Sequence, residues 1–326
     1  MKFVTYKSKD NEQNKFGYIE NDNIIDITEA KKWLNDSMGN QNYLTIPNSL
    51  QESLSNWDTY FNLIQGMKCE LESIDIEELK AKKLSSELKE VRWLPPVTHP
   101  QSFRDFYAFE QHVKAARKLR GLEMHPDWFR LPIFYFSNPN ALYGHKENIP
   151  YPDNTNELDF ELEFAIIIAN GGKNIKKEEA DTYIAGYTIC NDWSARDLQR
   201  EEMQLSLGPA KGKDFATSFG PYMVTPDELK NDLDEYGKLH LRMTCHVNDE
   251  LISDGNTNDL FHPFTTMIER ASMNTNLVAG DYLGSGTVGT GCILELRPEN
   301  VGGWLKKGDV IRLKVDKLGE LENIII

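Results

Sequence analysis

Leu158-Asp-Phe-Glu-Leu-Glu-Phe164 alternates strictly between apolar and acidic residues. A strand sends successive side chains to opposite faces, so Phe160, Leu162 and Phe164 share one face. Asp159, Glu161 and Glu163 share the other. Ala165–Ala169 follows as an all-apolar run, the pattern of a strand buried on both sides. Three carboxylates thus stand in a row where a strand enters the interior. Burial worsens their mutual repulsion. A divalent cation relieves it, because hard cations take carboxylate oxygens. Taken alone, the pattern also suits a solvated face on an edge strand.

The flanking stretches bear on that choice. Tyr187–Cys190 is apolar and predicts a strand, and Ser194 with Asp197 three later signals a helix start. Asp192 then falls at the end of a strand and before a helix, where a side chain reaches a pocket mouth or simply caps the helix. Upstream, the pattern predicts a helix over 105–120, with Asp105 at its start and Gly121 as its stop. On such a helix Asp105 and His112 lie two turns apart, about 10 Å along the axis, on one side. Leu207–Ser218 is a Gly/Pro loop with two lysines, one of them Lys213. A loop lysine at a metal site can neutralise a developing oxyanion, although most are merely solvated. Gly284–Gly291 is a second glycine-rich loop, followed by a predicted strand, Cys292–Leu296, that carries Glu295. As a partner of His112, Glu295 would keep the imidazole basic and oriented. As an ordinary strand residue it would face outward.

The 326 residues allow one large domain, or a large one with a small one, and 40% are hydrophobic, enough for a sizeable core. No apolar run approaches the ~18–20 residues needed to cross a bilayer. The first residues lack a signal-peptide apolar region. Cys69, Cys190, Cys245 and Cys292 lie far apart without a C-x-x-C pair, which points to a reducing cytoplasm. A net charge of −15 argues against nucleic acid and anionic membranes as partners. It does not exclude an anionic substrate.

Residues 1–95 suggest a small α+β domain, with strands at 3–6, 16–20 and 24–27 and helices at 50–67 and 76–84. Pro95-Pro96 and Pro100 mark the boundary of a second domain, 96–326. There, short strands recur between turns, with helices at 105–120, 176–183, 194–206 and 258–272. The class is therefore α+β, mostly β. The P-loop pattern and the G-x-S-x-G elbow are absent.

Five motifs in order carry a resemblance: Asp105-Phe-Tyr-Ala-Phe-Glu-Gln-His112, Leu158-Asp-Phe-Glu-Leu-Glu163, Asn191-Asp-Trp-Ser-Ala-Arg-Asp-Leu-Gln199, Leu207-Gly-Pro…Gly-Lys213 and Gly284-Ser-Gly-Thr287. Over residues 95–316 the chain resembles the fumarylacetoacetate hydrolase superfamily. The resemblance implies a mixed β-sandwich roll behind a small N-terminal domain, commonly a homodimer. It implies that Asp105, Glu161, Glu163 and Asp192 hold Mg²⁺, with Ca²⁺ or Mn²⁺ as other choices. It makes His112 the general base and Glu295 its acidic partner. It assigns Lys213 and Gln199 to polarising the carbonyl and holding the leaving group. Tyr107, Arg120, Tyr135 and Thr287 match substrate contacts, Arg120 one place off the family spacing. The expected activity is hydrolysis of a carbon–carbon bond in a β-diketo acid, led by fumarylacetoacetate cleavage to fumarate and acetoacetate in aromatic amino-acid catabolism. Acylpyruvate hydrolysis, oxaloacetate decarboxylation and hydration or isomerisation of 2-oxo acids are the superfamily's other chemistries. The segment between Thr287 and Glu295 is shorter than in the longer fumarylacetoacetases, which trims the surroundings of the substrate's far end. A non-catalytic scaffold that kept the fold would be expected to have lost one of these polar residues.

Overall fold

The computed structural model describes residues 1–9 and 11–326. Among them, a twelve-stranded sheet and a five-stranded sheet form a mixed β architecture. The large sheet runs Ser85–Glu87, Asn23–Asp26, Asn11–Glu20, Lys2–Ser8, Thr217–Val224, Ile184–Asn191, Leu162–Ile168, Tyr282–Gly284, Phe103–Phe106, Phe134–Ser137. Val91–Trp93 and Leu142–Tyr143 pair beside this path. The second sheet runs Glu250–Asn256, Arg242–Val247, Val310–Val315, Gly319–Ile325, Asn148–Ile149. Lys2–Ser8 pairs with Thr217–Val224, so residues before and after 95 share one sheet.

The alternation of Leu162–Ile168 builds two cores at once. Phe164, Ile166 and Ile168 pack with Ile189 and Val224 toward Met243, Leu313 and Leu321 of the second sheet. Ala165 and Ile167 face the other way, with Cys190, Phe219 and Met223, onto Phe3, Leu54, Trp57 and Ile64. This explains why the central strand is apolar on both faces.

Several local expectations are corrected. Asp105 is not on a helix. Phe103–Phe106 is a strand, parallel to Tyr282–Gly284 and antiparallel to Phe134–Ser137, and the helix spans Glu110–Leu119. Ladder hydrogen bonds on both sides outweigh the local helix-start signal. Ser194 does not cap a helix. Ser194–Ala195 pairs with Leu158–Asp159, and the helix spans Arg196–Gln204. Cys292 starts no strand, because Ile293–Leu296 is a short helix. The 158–169 strand breaks at Phe160 and Glu161. The 50–67 helix divides into Leu50–Ser53 and Trp57–Leu71, 176–183 reduces to a 3-10 turn at Ala180–Tyr183, and 258–272 narrows to Phe264–Ser272. The helix Ile27–Met38, capped by Asp26, was not foreseen.

Candidate active site

The two acidic side chains of the alternating stretch that follow Asp159 find partners at the ends of neighbouring strands. Glu163 lies on Leu162–Ile168 and Asp105 on Phe103–Phe106, with Gly284 between them in the sheet. A Cβ on Gly284 would meet Asp105 Oδ1 at 2.4 Å, so only glycine lets this carboxylate lean across the strand. Asp192 follows the end of Ile184–Asn191. The backbone amide of Glu161 donates to Asn191 Oδ1 at 2.9 Å, which holds Glu161 beside it. Carboxylate oxygens of Asp105, Glu161, Glu163 and Asp192 all lie within 4.8 Å of one another, and all four residues are buried.

Two cations answer them in part. The buried Lys213 ammonium donates to Glu161 Oε2 and, at 2.6 Å, to Asp192 Oδ2. Arg196 donates from one nitrogen to Glu161 Oε1 at 2.8 Å and from Nε to Asp159 Oδ2 at 2.8 Å. Burial would raise the Glu161 carboxyl, but Lys213 and Arg196 outweigh burial and bring it to about 2, with His112 near enough to contribute. The others lack that compensation. Burial and the Asp192 charge push Asp105 well above the usual carboxylate range. Burial, Asp105 and Glu161 do the same to Glu163. Burial raises Asp192, with Lys213 opposing. Burial also works against the charge on Lys213, but Asp192 and Glu161 outweigh it and hold the ammonium above its ordinary value.

Glu163 Oε2 and Asp192 Oδ1 are buried with no hydrogen-bond partner among the described residues. An orphaned buried carboxylate oxygen is costly. Two such oxygens in an all-oxygen donor set fit a hard divalent cation. Thr287 Oγ1 donates to Glu163 Oε1 at 3.3 Å, Tyr135 donates its hydroxyl to Asp192 Oδ2, and the Gly286 amide donates to Asp105 Oδ1 at 3.2 Å. Tyr135 and Thr287 therefore touch the carboxylates directly.

His112 is on the helix Glu110–Leu119. Its Nδ1 lies 3.0 Å from Glu295 Oε2, and both side chains are buried. The ring of Tyr107 meets His112 edge-on at 5.7 Å. Burial raises the Tyr107 phenol to about 12, with the nearby Arg120 charge opposing. Arg120 itself is exposed at the end of the helix. Gln199 Oε1 accepts from Arg196 at 3.0 Å. Asp159, the first acid of the alternating row, does not join the cluster. It accepts the amides of Ile293 at 2.8 Å and Leu294 at 3.0 Å and so caps the turn that carries Glu295. The roles of Asp159 and Arg196 were missed in the sequence, although both lie inside quoted motifs.

A sequence profile described as the fumarylacetoacetate (FAA) hydrolase C-terminal domain matches residues 101–326. The chain belongs to the fumarylacetoacetate hydrolase family. The fumarylacetoacetate hydrolase domain-containing protein 2 homolog of Dictyostelium discoideum is 28% identical over 334 residues, 99% of this chain and 96% of that protein. Oxaloacetate tautomerase YisK of Bacillus subtilis (strain 168) is 29% identical over 322 residues, 94% of each. Among solved structures, a fumarylacetoacetate hydrolase from psychrophilic Exiguobacterium antarcticum superposes with a TM-score of 0.70 at 25% identity, covering 100% of this chain and 99% of that one. Maleylpyruvate hydrolase from Sphingobium sp. SYK-6, solved with manganese(II) and pyruvate, shares the fold with a TM-score of 0.68 at 20% identity, with coverage of 100% and 99%. No helix among the described residues is long and apolar enough to cross a membrane.

Proposed function

We propose that this chain is a divalent-cation-dependent enzyme that interconverts the keto and enol forms of a short 2-oxo dicarboxylic acid such as oxaloacetate. The observation that carries the reading is the His112–Glu295 hydrogen bond, buried beside four carboxylates that fit a hard cation. Similarity over 94% of both chains to a protein named oxaloacetate tautomerase supports the substrate class.

In this reading Asp105, Glu161, Glu163 and Asp192 hold Mg²⁺, with Mn²⁺ or Ca²⁺ as substitutes. A cation bound there supplies Lewis-acid polarisation of the 2-oxo group. Glu295 accepts the proton on His112 Nδ1 as a hydrogen bond, which leaves the Nε2 lone pair free. Nε2 takes a proton from the carbon beside the carbonyl, the C–H electrons become the carbon–carbon double bond, the carbonyl π electrons move onto oxygen, and the imidazolium returns the proton to that oxygen. The imidazole suits this work because its ordinary pKa lies near neutral. Lys213 and Gln199 hold substrate oxygens, Tyr107 borders the imidazole, and exposed Arg120 meets a substrate carboxylate at the mouth. The hydrogen bonds of Tyr135 and Thr287 support orientation of metal ligands rather than substrate contact.

A second reading is hydrolysis of the carbon–carbon bond in a β-diketo acid, fumarylacetoacetate or an acylpyruvate, with a place in aromatic catabolism. The His112–Glu295 pair serves this reading equally, because it can take a proton from water. Oxaloacetate decarboxylation uses the same enolate and no attacking water. A panel of enol-oxaloacetate, fumarylacetoacetate and acylpyruvates, with Mg²⁺ or EDTA, separates them. Loss of enol absorbance without CO₂ or cleavage products is expected. Faster cleavage of a β-diketo acid replaces the first reading with the second. We further propose a homodimer in the cytoplasm, consistent with four free cysteines, and a unit boundary at 95/96, supported by the profile match beginning at residue 101.

A further inference from the structure

We propose that His112, Cys292 and Glu295 form a second metal site, one that takes Zn²⁺ and silences the imidazole. A ring nitrogen of His112, the sulfur of Cys292 and a carboxylate oxygen of Glu295 all lie within 4.8 Å of one another. Cys292 is fully buried and plays no part in the reaction proposed above. It sits at the start of the helix Ile293–Leu296. The sequence holds no C-x-x-C pair. The trio assembles only because the Asp159-capped turn delivers Cys292 and Glu295 together against the helix bearing His112.

Donor chemistry separates this trio from the carboxylate cluster. Sulfur and imidazole nitrogen select zinc over magnesium, whereas four carboxylates select hard cations. Zinc bonds of about 2.0–2.3 Å put tetrahedral ligand atoms roughly 3.5 Å apart. Side-chain shifts of about 1 Å therefore close the trio on an ion. Three protein ligands leave a fourth position for water. Binding releases the thiol proton to solvent, since a coordinating thiol is deprotonated. Zinc on the nitrogen facing Glu295 displaces its proton onto Nε2, whose lone pair is then no longer free to act as the base. Only the effect on turnover rests on the proposed reaction; the binding does not.

Co²⁺ serves as the probe, because a thiolate ligand gives it a near-ultraviolet charge-transfer band that oxygen ligands do not. Full-length protein is stripped with EDTA, desalted, saturated with Mg²⁺ and titrated with Co²⁺. The band is expected in the wild type at one equivalent and displaced by Zn²⁺. It is expected to vanish in Cys292→Ser, with Co²⁺ affinity at the site falling at least tenfold, and to persist in Cys69→Ser. Cys292→Ala repeats the test, and Mg²⁺-dependent thermal stabilisation shows that each variant is folded. No band in the wild type, a band surviving in Cys292→Ser, or one lost only in Cys69→Ser overturns the site. In turnover with saturating Mg²⁺, Cys292→Ser is expected to resist Zn²⁺ at least tenfold better than the wild type. Equal inhibition overturns the silencing and places zinc at the four carboxylates. The band needs no substrate, so a wrong reading of the reaction leaves it intact.

Discussion

Asp159 and Arg196 form a buried ion pair at 2.8 Å that ties the carboxylate cluster to the turn carrying Glu295. The guanidinium bonds Glu161 with a second nitrogen, while the Asp159 carboxylate caps Ile293 and Leu294. A proposed metal ligand and the partner of the proposed base thus hang on one pair of side chains.

Asp159→Asn is expected to cost about 3–5 kcal/mol of stability, because it leaves a buried guanidinium short of its counter-charge. It also loosens the turn under Glu295, and turnover is expected to fall roughly 10- to 100-fold. Urea unfolding and kcat/KM at several pH values check both. A wild-type pH profile with unchanged kcat would remove Asp159 from any positioning role.

His112→Asn keeps the ring's approximate size but supplies no base. Turnover is expected to drop roughly 100- to 10,000-fold. Stabilisation by Mg²⁺ is expected to persist, since the four carboxylates are untouched. Thermal unfolding with and without Mg²⁺ beside steady-state kinetics makes the comparison.

Cation binding is expected to raise the melting temperature, because Glu163 Oε2 and Asp192 Oδ1 then gain a partner. At 100 times its dissociation constant a ligand adds about 2.7 kcal/mol. In Glu163→Gln the gain is expected to shrink at least tenfold in cation affinity, while the cation-free protein is no less stable. Calorimetric titration with Mg²⁺ and Mn²⁺ measures it. Binding at wild-type affinity would show that the cation sits elsewhere.

His145 supplies a pH dependence remote from the cluster. Its buried Nδ1 accepts the Glu322 amide at 3.1 Å, and burial lowers the imidazole from 6.5 to about 4. The folded state therefore binds fewer protons than the unfolded chain, and stability falls as pH drops from about 6.5 to about 4. The full effect is roughly 3 kcal/mol at 1.36 kcal/mol per pH unit. His145→Gln keeps an acceptor without the titration and is expected to flatten that slope. Urea midpoints at pH 7 and 4.5 test this, and a slope unchanged in the variant would rule His145 out as its source.

The residues that meet in the site were legible because each sits in a short pattern with a strong local meaning. Alternation through 158–164 placed Glu161 and Glu163 on one face whatever lay around them. Yet the same pattern put Asp159 in the row, and the fold turns it instead onto Arg196, because the strand breaks at Phe160 and Glu161. Asp105, inside a quoted motif, and Glu295, beyond the last one, were both assigned to the wrong element. A capping signal or a β-prone run is worth only about 1 kcal/mol locally. Two ladders around Phe103–Phe106, or two amides on one carboxylate, exceed that.

The amino-acid sequence by itself determined the mostly β class, the doubly apolar central strand and the acidic residues that cluster, since period and residue type are local properties. Only tertiary structure decided that Arg196 and Lys213 neutralise Glu161, that Asp159 serves Glu295, and that Cys292 lies against His112. Those relations join residues from 35 to 180 positions apart. They exist because burial in a low-dielectric interior makes each unpaired charge seek a partner wherever the chain brings one.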